Sequence, residues 1–326
     1  MFEPILHSVF CPGFAAISKY GQPETEGHRM AYWEWNSTGN PAHPHVVLCV
    51  HGLSRQGRDF DTLAKSLSQH ARVICPDVVG RGQSDWLRDP SGYQIPFYAA
   101  DILTLLNVLN QQAPISKLDW IGTSLGGLIA LALCGQPGLP MPVAVRRLVL
   151  NDVGPVIQWQ ALQRIGTYLG RPASFDSLEA AAAMLASISR SFGPHTPQQW
   201  LDLSRHMVKP VVSRDGDAVN NSVGILELHY DPAIAIAFRS FTQEAAKQGE
   251  DALWGLYDNI RAETLLTRGA ESDLLSRDTA LQMARRGPHA RLVEFDHVGH
   301  APTLIATDQL KTVCDFIVGP DGSAAT

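Results

Sequence analysis

A serine in a glycine-flanked turn is the clearest candidate for chemistry in the sequence. Residues 122–126 read Gly-Thr-Ser-Leu-Gly, the G-x-S-x-G pattern of a nucleophile elbow with Ser124 at its centre. Gly122 and Gly126 remove side chains that would clash where a strand turns sharply into a helix. A serine hydroxyl presented at a helix N-terminus can attack a carbonyl carbon, so the pattern predicts acyl transfer.

This chemistry also needs a base and a carboxylate, because a serine hydroxyl alone is a weak nucleophile. His300 follows the last predicted strand, and a histidine can take the serine proton near neutral pH and return it to a leaving group. Asp273 follows the preceding predicted strand and could hold the imidazole in the required tautomer. Ser124, Asp273 and His300 are therefore the candidate catalytic triad.

The elements that must position these residues alternate between strand and helix. Strands that would be buried on both faces are predicted at 46–50, 71–75, 118–121 and 146–150. Helices are predicted between and after them at 60–69, 98–111 and 128–133. This alternation indicates an α/β fold with a mostly parallel, doubly wound sheet, and strands at 15–20 and 28–35 would form its antiparallel edge. The carboxyl ends of parallel strands meet at one edge, so the three candidate residues can meet there.

The alternation stops near residue 154 and resumes about a hundred residues later. Strands are predicted again at 263–267 and 290–295, and a helix at 304–318 ends the fold. The intervening segment favours helices, at 178–190, 197–207 and 232–246. We therefore expect three segments: a first part of the core at 1–154, a helical lid at 155–258, and the second part of the core at 259–326.

Composition excludes several classes of partner. The chain has 326 residues, of which 45% are hydrophobic and 18% charged, with a formal net charge of −6. It has no basic block that would indicate nucleic acid or an anionic membrane surface. No apolar run reaches about 18 residues, and the first ten residues lack the pattern of a signal peptide. We expect a small-molecule substrate, no nucleic acid and no membrane, and the sequence predicts no oligomeric state.

The cysteines and acidic loop residues favour structural roles. Five widely spaced cysteines, without metal-binding spacing, indicate thiols in a reducing cytoplasm. Asp77 and Asp85 are expected to accept hydrogen bonds from turn amides rather than to bind a metal. No cofactor and no metal ion are therefore predicted, and the expected location is cytoplasmic.

The motifs together resemble those of an α/β-hydrolase-fold serine hydrolase with a helical lid. The resemblance extends over about residues 28–318 and is weakest in the lid. His-Gly-Leu at 51–53 resembles the oxyanion block of that family, and residues 77–85 resemble its D-x-x-G-x-G-x-S-[DE] loop. Gly-His at 299–300 resembles the Gly-His pair that this family carries near its C-terminus.

This resemblance implies a role for each matching residue. Ser124 would be the nucleophile, His300 the base and Asp273 the acid, which is the chain order of the family's triad. Backbone N–H groups of Leu53 and Leu125 would form the oxyanion hole.

Four other acidic or histidine residues near these positions offer alternative assignments. Asp152 also follows a predicted strand, and some members of the resembled family take their acid from this position; otherwise Asp152 would brace the entry to the lid. Glu271 is less favoured because Ser-Asp-Leu at 272–274 matches the family better. His297 lacks the preceding glycine of the family pattern, and His51 is expected to position its loop rather than to react.

The implied activity is hydrolysis of a carboxylic ester of small or medium size through an acyl-enzyme. A lactone or enol-lactone hydrolase would use the same groups. A C–C bond hydrolase is less favoured because Ala301 stands where such relatives carry an aromatic residue, although Arg190 or Arg205 could supply the arginine they use. A non-catalytic ligand-binding module is least favoured because no triad member is missing. Aromatic and histidine side chains expected to contribute to the substrate pocket or to lid packing are Trp159, Tyr168, Phe192, Trp200, His206, His229 and Tyr230.

Overall fold

A computed structural model describes residues 3–17, 26–211 and 224–320. The strands of its main sheet are β1 (Ile5–Pro12), β2 (Gly27–Trp35), β3 (His45–Val50), β4 (Arg72–Pro76), β5 (Lys117–Thr123), β6 (Val145–Asn151), β10 (Glu263–Gly269) and β11 (Arg291–Phe295). Three short strands between β6 and β10 are β7 (Ser174–Phe175), β8 (Val208–Pro210) and β9 (Leu226–Leu228). The helices are α1 (Asp61–Leu67), α2 (Ile95–Gln112), α3 (Leu125–Gly135), α4 (Trp159–Tyr168), α5 (Leu178–Ile188), α6 (Pro197–Arg205), α7 (Ile234–Arg239), α8 (Gln243–Asn259), α9 (Arg277–Met283) and α10 (Thr307–Val318).

The main sheet has eight strands in the order β1-β2-β4-β3-β5-β6-β10-β11. Every pairing from β4 to β11 is parallel, whereas β2 pairs antiparallel with both β1 and β4. The predicted α/β class, the parallel sheet and the antiparallel edge are thus confirmed. The carboxyl ends of β5, β6, β10 and β11 lie side by side, so the loops that follow these four strands share one edge.

The first strand lies earlier in the chain than the sequence predicted. It spans Ile5–Pro12, whereas a strand was expected at 15–20; residues 18–20 lie outside the described part of the chain. On this edge strand only Val9 and Cys11 are buried, while Phe10 is 55% exposed. Apolar residues thus face both the core and solvent, and the alternation that identifies a half-buried strand is lost.

Between β6 and β10, the described residues form an insertion of five helices and a small sheet. The predicted helices at 178–190 and 197–207 correspond to α5 and α6, and the one at 232–246 divides into α7 and the start of α8. The three short strands pair antiparallel in the order β7-β9-β8, which the sequence did not predict. Each has two or three residues, which is too short to show a period of two.

Two hydrophobic clusters cover the two faces of the main sheet. One includes Ile102 of α2 and Ile129 of α3, and the other includes Leu63 of α1 and Phe316 of α10. Helices therefore pack on both faces, as the parallel sheet requires. Among the described residues, no helix is both long enough and apolar enough to cross a membrane. All five cysteines are free thiols.

Candidate active site

Ser124 lies in a sharp turn between β5 and α3. Its backbone has φ 52° and ψ −113°, a conformation that non-glycine residues rarely adopt and that commonly marks functional sites. A Cβ atom on Gly122 would lie 2.5 Å from the Gly126 carbonyl oxygen, and one on Gly126 would lie 2.0 Å from the Val50 carbonyl oxygen. The predicted reason for both glycines is confirmed, because only glycine allows this close approach of strand and helix.

His300 lies beside the serine and contacts it directly. Its Nε2 atom is 3.0 Å from Ser124 Oγ, and its Nδ1 atom is 2.7 Å from Asp152 Oδ2. An ionised carboxylate can only accept a hydrogen bond, so Nδ1 carries the proton and Nε2 presents a lone pair to the serine hydroxyl. The arrangement makes Ser124 the donor and His300 the acceptor, as a general base requires.

Asp152 is held in place by the neighbouring loop. Its side chain is completely buried, and its backbone has a φ of 55°. The Gly269 N–H donates to Oδ1 over 3.0 Å, and the Ser272 hydroxyl donates to Oδ2 over 2.6 Å. The Asp152 N–H donates to the carbonyl of Thr267 over 2.8 Å. These bonds leave the carboxylate one orientation, in which Oδ2 faces the imidazole.

Asp273 does not occupy the position that the sequence predicted for it. Its carboxylate is 44% exposed and forms two hydrogen bonds with Arg164, with distances of 2.7 and 2.9 Å. The expectation that Asp273 would orient His300 is therefore wrong for this structure, in which Asp152 contacts Nδ1. The chain turns after β10 so that Ser272 points towards the site while Asp273 points outwards. The sequence did not indicate a role for Ser272, which contacts the site through its hydrogen bond to Asp152.

Glu271 and His297 also stay away from the site. Both lie on the surface, where Glu271 Oε1 is 3.9 Å from His297 Nδ1. The Glu271 side chain is 68% exposed and the His297 side chain is 86% exposed.

The loop at 51–53 contains Leu53, which lines the cavity and whose backbone N–H is a predicted oxyanion donor. The Gly52 carbonyl accepts hydrogen bonds from His51 Nδ1, over 2.7 Å, and from the Arg55 N–H, over 3.1 Å. The N–H of the next residue lies on the opposite side of the same planar peptide unit, so fixing this carbonyl also fixes the direction of the Leu53 N–H. Leu125 is the first residue of α3, and its N–H therefore has no carbonyl to bond within the helix. These are the two predicted oxyanion donors.

Two buried side chains, those of His51 and Arg81, hold the backbone of this loop through hydrogen bonds. His51 accepts a hydrogen bond from the Val78 N–H at Nε2, over 2.9 Å, and burial lowers the pKa of His51 to about 3. The ring is thus neutral, with both nitrogens engaged, as expected of a positioning residue. The fully buried Arg81 donates from Nε to the Leu53 carbonyl over 2.8 Å. Both peptide units that flank Leu53 are consequently held by side chains.

Asp77 organises the loop that follows β4. It accepts hydrogen bonds from the N–H groups of Gly57 and Gln83 over 2.7 and 2.8 Å, and a longer one from the Trp33 indole. Burial raises the pKa of Asp77 to about 6, although these donors act in the opposite direction. Asp85 accepts a hydrogen bond from the Arg29 N–H over 2.7 Å. The predicted acceptance from turn amides is confirmed for Asp77, whereas the amide that donates to Asp85 belongs to strand β2.

Comparison with known proteins places this geometry in a family. A family model described as the alpha/beta hydrolase fold matches residues 45–306. The chain belongs to this family. It is 48% identical over 294 residues to a 3-hydroxybutyrate-oligomer hydrolase of Cupriavidus necator, a match that covers 90% of this chain and 94% of that protein.

Solved structures agree with this membership. An alpha/beta hydrolase from Novosphingobium aromaticivorans is similar to this chain with a TM-score of 0.75 and 30% identity, over 98% of this chain and 99% of the other. A Rickettsia typhi protein gives a TM-score of 0.79 with 25% identity, over 97% and 99% of the two chains. The similarity to both structures includes the insertion, since it extends over nearly the whole chain.

A cavity of about 580 Å³ opens at the serine of this alpha/beta hydrolase. Ser124 and His300 lie in its wall, and the insertion supplies much of the rest, including Met184, Leu185 and Ile188 of α5. The volume is within the usual range for small-molecule sites. Of the aromatic and histidine residues expected to contribute, those that line the cavity are Tyr168, Phe192 and Tyr230.

Three arginines line the same cavity, and the sequence reasoning did not identify them. They are Arg55, Arg164 and Arg171, and no described aspartate or glutamate lines the cavity. Arg190 and Arg205, which were considered as sources of positive charge, do not line it. Arg55 lies in the loop after β3, whereas Arg164 and Arg171 belong to the insertion, so only the folded chain brings the three positions together.

The insertion is hydrogen-bonded to the loop that carries the histidine. The Ser191 hydroxyl donates to the His300 carbonyl over 2.5 Å, and the Gly299 N–H donates to the Ser191 carbonyl over 2.6 Å. His195 Nε2 lies 2.8 Å from the Thr303 hydroxyl on the far side of the same loop. The loop after β11 is therefore fixed from the insertion as well as from the sheet.

One group of side chains among the described residues has the proximity of metal ligands. Cys11, His28 and Asp101 are buried, and their potential ligand atoms lie within 4.8 Å of one another. His28 Nδ1 donates to the Phe14 carbonyl over 2.9 Å, and Nε2 lies 3.0 Å from Asp101 Oδ2. None of these residues lines the cavity at Ser124, so the group has no part in the chemistry there.

Proposed function

We propose that this alpha/beta hydrolase cleaves carboxylic esters through an acyl-enzyme on Ser124, and that its substrates are short oligomers of 3-hydroxybutyrate. The observation that carries the proposal is the hydrogen-bonded series Asp152–His300–Ser124, which ends at the cavity. The choice of substrate follows the 48% identity to a 3-hydroxybutyrate-oligomer hydrolase across nearly the whole of both chains. Such oligomers are chains of four-carbon hydroxy acids joined by ester bonds.

The first half of the reaction transfers the acyl group to the enzyme. His300 Nε2 takes the proton of Ser124 as Oγ attacks the ester carbonyl carbon, and the carbonyl oxygen gains the negative charge. The N–H groups of Leu53 and Leu125 donate to this oxygen, and each such donor contributes about 3 kcal/mol to the transition state. Asp152 stabilises the imidazolium, which then protonates the alcohol oxygen as the carbon–oxygen bond breaks.

The second half returns the enzyme to its starting state. His300 takes a proton from a water molecule, whose oxygen attacks the acyl carbon. The oxyanion again lies between the Leu53 and Leu125 N–H groups. As the bond to Ser124 breaks, the imidazolium returns its proton to Oγ, and the free acid leaves. Each proton taken is returned, so no cofactor is needed.

Residues 155–258 are proposed to act as a lid that selects the substrate. They supply the apolar wall formed by α5, whereas the reacting groups lie in loops of the main sheet. Apolar side chains suit the methyl and methylene groups of an oligomer chain. The division between a reacting core and a selecting insertion is typical of sites in which specificity and chemistry lie on different elements.

Covalent labelling tests the nucleophile. A fluorophosphonate probe should label the wild-type protein, and Ser124→Ala should not be labelled. Ser189→Ala is a matched control, because Ser189 also lines the cavity but lies at the C-terminal end of α5, outside the segment bonded to the His300 loop. Equal labelling of the wild type and Ser124→Ala would contradict the assignment.

A substrate panel tests the reaction and its scope. It comprises p-nitrophenyl esters of graded acyl length, the dimer and trimer of 3-hydroxybutyrate, a lactone and a vinylogous diketone. We expect hydrolysis of the short p-nitrophenyl esters and of both oligomers, with release of 3-hydroxybutyrate. Turnover of the lactone or the diketone alone would replace ester hydrolysis with one of the alternative reactions. Binding of an oligomer without turnover would indicate a ligand-binding module.

A further inference from the structure

We infer that Arg171 binds the terminal carboxylate of the substrate and so fixes which end of an oligomer enters the cavity. This inference rests on the proposed function, since it concerns the same cavity and the same class of ester. An oligomer of a hydroxy acid has neutral ester bonds along its length and one free carboxylate at one end. Recognition of that end requires a positive group at the cavity that no protein carboxylate has already neutralised.

Two of the three arginines in the cavity wall are already neutralised. Arg55 forms two hydrogen bonds with Asp59, over 2.6 and 2.8 Å, and a third with the Leu203 carbonyl. Arg164 forms the two hydrogen bonds with Asp273 described above. Both guanidinium groups therefore have carboxylate partners within the protein.

Arg171 differs from both of them. Its side chain is exposed and lines the cavity. Its backbone N–H donates to the Tyr168 carbonyl over 3.2 Å, whereas its guanidinium group makes no ion pair or hydrogen bond with any residue in the described part of the chain. Among the described residues, the wall of the cavity thus carries one positive charge without an acidic partner, in a chain whose formal net charge is −6. A carboxylate that enters the cavity can take up this guanidinium in the two-point geometry that arginine favours.

The backbone that carries Arg171 is firmly held. Gly170 has a φ of 70°, and a Cβ atom there would lie 2.5 Å from the Ala235 Cβ. The Gly170 N–H donates to the Tyr230 hydroxyl over 3.0 Å, and Arg239 donates to the carbonyl of the fully buried Leu169 over 3.2 Å. Only the side chain must be ordered when a ligand binds, which limits the entropic cost of binding.

This position determines the direction of cleavage. The free carboxylate of an oligomer belongs to the alcohol portion of its last ester bond. With that carboxylate on Arg171 and the ester carbonyl at Ser124, the leaving alcohol carries the acid end, and the acyl-enzyme keeps the hydroxyl end. Hydrolysis would then proceed from the carboxyl terminus of the oligomer, and blocking that carboxylate would weaken binding.

The test compares a charged substrate with its neutral counterpart. The 3-hydroxybutyrate trimer and its methyl ester are hydrolysed by the wild type, by Arg171→Gln and by Arg171→Lys. For the free trimer we expect KM to rise about tenfold in Arg171→Gln, which corresponds to about 1.4 kcal/mol for a charged hydrogen bond. For the methyl ester the rise should be at most about twofold, and Arg171→Lys should recover part of the loss. Arg205→Gln, which removes an exposed arginine outside the cavity, should change neither KM.

The outcomes separate this inference from the proposed function. An equal rise in KM for the free trimer and its methyl ester in Arg171→Gln would overturn the role of Arg171. If neither trimer is hydrolysed, the oligomer is the wrong substrate. The same comparison is then made with 4-butyryloxybenzoate and its methyl ester, which also carry the carboxylate on the alcohol side. A wild-type preference for the free acid that disappears in Arg171→Gln would support the carboxylate site, and a preference that persists would refute it.

Discussion

The loops that follow β6 and β10 each carry an aspartate, and they differ in where that carboxylate goes. Asp152 is completely buried, has a backbone φ of 55°, and faces His300. Asp273, on the neighbouring loop, is 44% exposed and pairs with Arg164. A residue that follows the carboxyl end of a central strand is therefore not always part of the site. The turn of the backbone after the strand determines whether its side chain faces the site or solvent.

The two carboxylates also differ in what their partners contribute. Asp273 and Arg164 form a pair near the surface, where such pairs contribute about 0–1 kcal/mol to stability. Asp152 has no access to water, so each of its hydrogen bonds offsets part of the cost of burying a charge. The end of β10 and the loop that follows it supply two of these donors, Gly269 and Ser272. The loop after β6 thus provides the carboxylate, and the end of β10 with its loop provides the donors that hold it.

The largest expected effect separates the two aspartates. Asp152→Asn should lower kcat on p-nitrophenyl butyrate on the order of 10⁴-fold, because an amide no longer fixes the proton on His300 Nδ1. Asp273→Asn should change kcat by less than about threefold, consistent with an exposed ion pair. Thermal unfolding of both variants checks that they are folded. A loss of activity in Asp273→Asn with Asp152→Asn still active would reverse the assignment.

A smaller effect is expected from the loop at 51–53. His51→Phe keeps a ring of similar size but removes the hydrogen bonds to the Gly52 carbonyl and the Val78 N–H. We expect kcat to fall about 10²-fold with little change in KM, since the Leu53 N–H loses its fixed direction and acts mainly in the transition state. Steady-state kinetics separate the two parameters. A rise in KM with kcat unchanged would show that His51 shapes the cavity instead of the oxyanion site.

Asp77 is a third aspartate to compare with Asp152 and Asp273. It is buried like Asp152, but its hydrogen bonds within the described part of the chain come from two backbone amides and an indole, not from an imidazole or a guanidinium group. Burial raises its pKa in the folded protein to about 6, above the ordinary value of 3.8 for an aspartate, so the folded state binds the proton more tightly. This contribution to stability is complete below the unfolded pKa and is lost as pH rises through about 6. Between about pH 4.5 and about pH 7.5, the free energy of unfolding of the wild type relative to Asp77→Asn should fall by about 2 kcal/mol. Denaturant titrations at both pH values measure it, and a constant difference would contradict the shift.

The smallest effect concerns the donor to Asp152. Ser272→Ala removes the hydroxyl that donates to Oδ2, and kcat should fall about tenfold, as expected for the loss of a hydrogen bond to a buried charge. Ser276→Ala is the matched control, because that serine caps α9 on the same loop without contacting the triad. It should lower stability by about 1 kcal/mol and leave kcat unchanged. Similar kcat values for Ser272→Ala and the wild type would show that Gly269 alone suffices to hold the carboxylate.

Local patterns were enough to predict the parallel strands of the sheet, the turn at Ser124 and the position of His300 after the last strand. Each depends on residues adjacent in the sequence, such as the glycines that the turn requires. Asp152 and Asp273 could not be separated in this way, because both follow a strand and the difference lies in the backbone turn beyond it. Arg171 was not predicted at all. Its exposure to the cavity depends on how α4, α5 and the small sheet pack, and periodicity carries no information about that packing.

The bonds between Ser191 and the His300 loop have a consequence for how this enzyme can change. The segment around Ser191 lines the cavity and also holds the loop of His300, whose Nε2 lies 3.0 Å from Ser124 Oγ. The same segment can therefore affect both the choice of substrate and the rate of turnover. A sequence change that enlarges the cavity wall around Ser191 for a bulkier ester would also shift the imidazole, so new specificity gained here would come with slower turnover until the histidine loop changes as well.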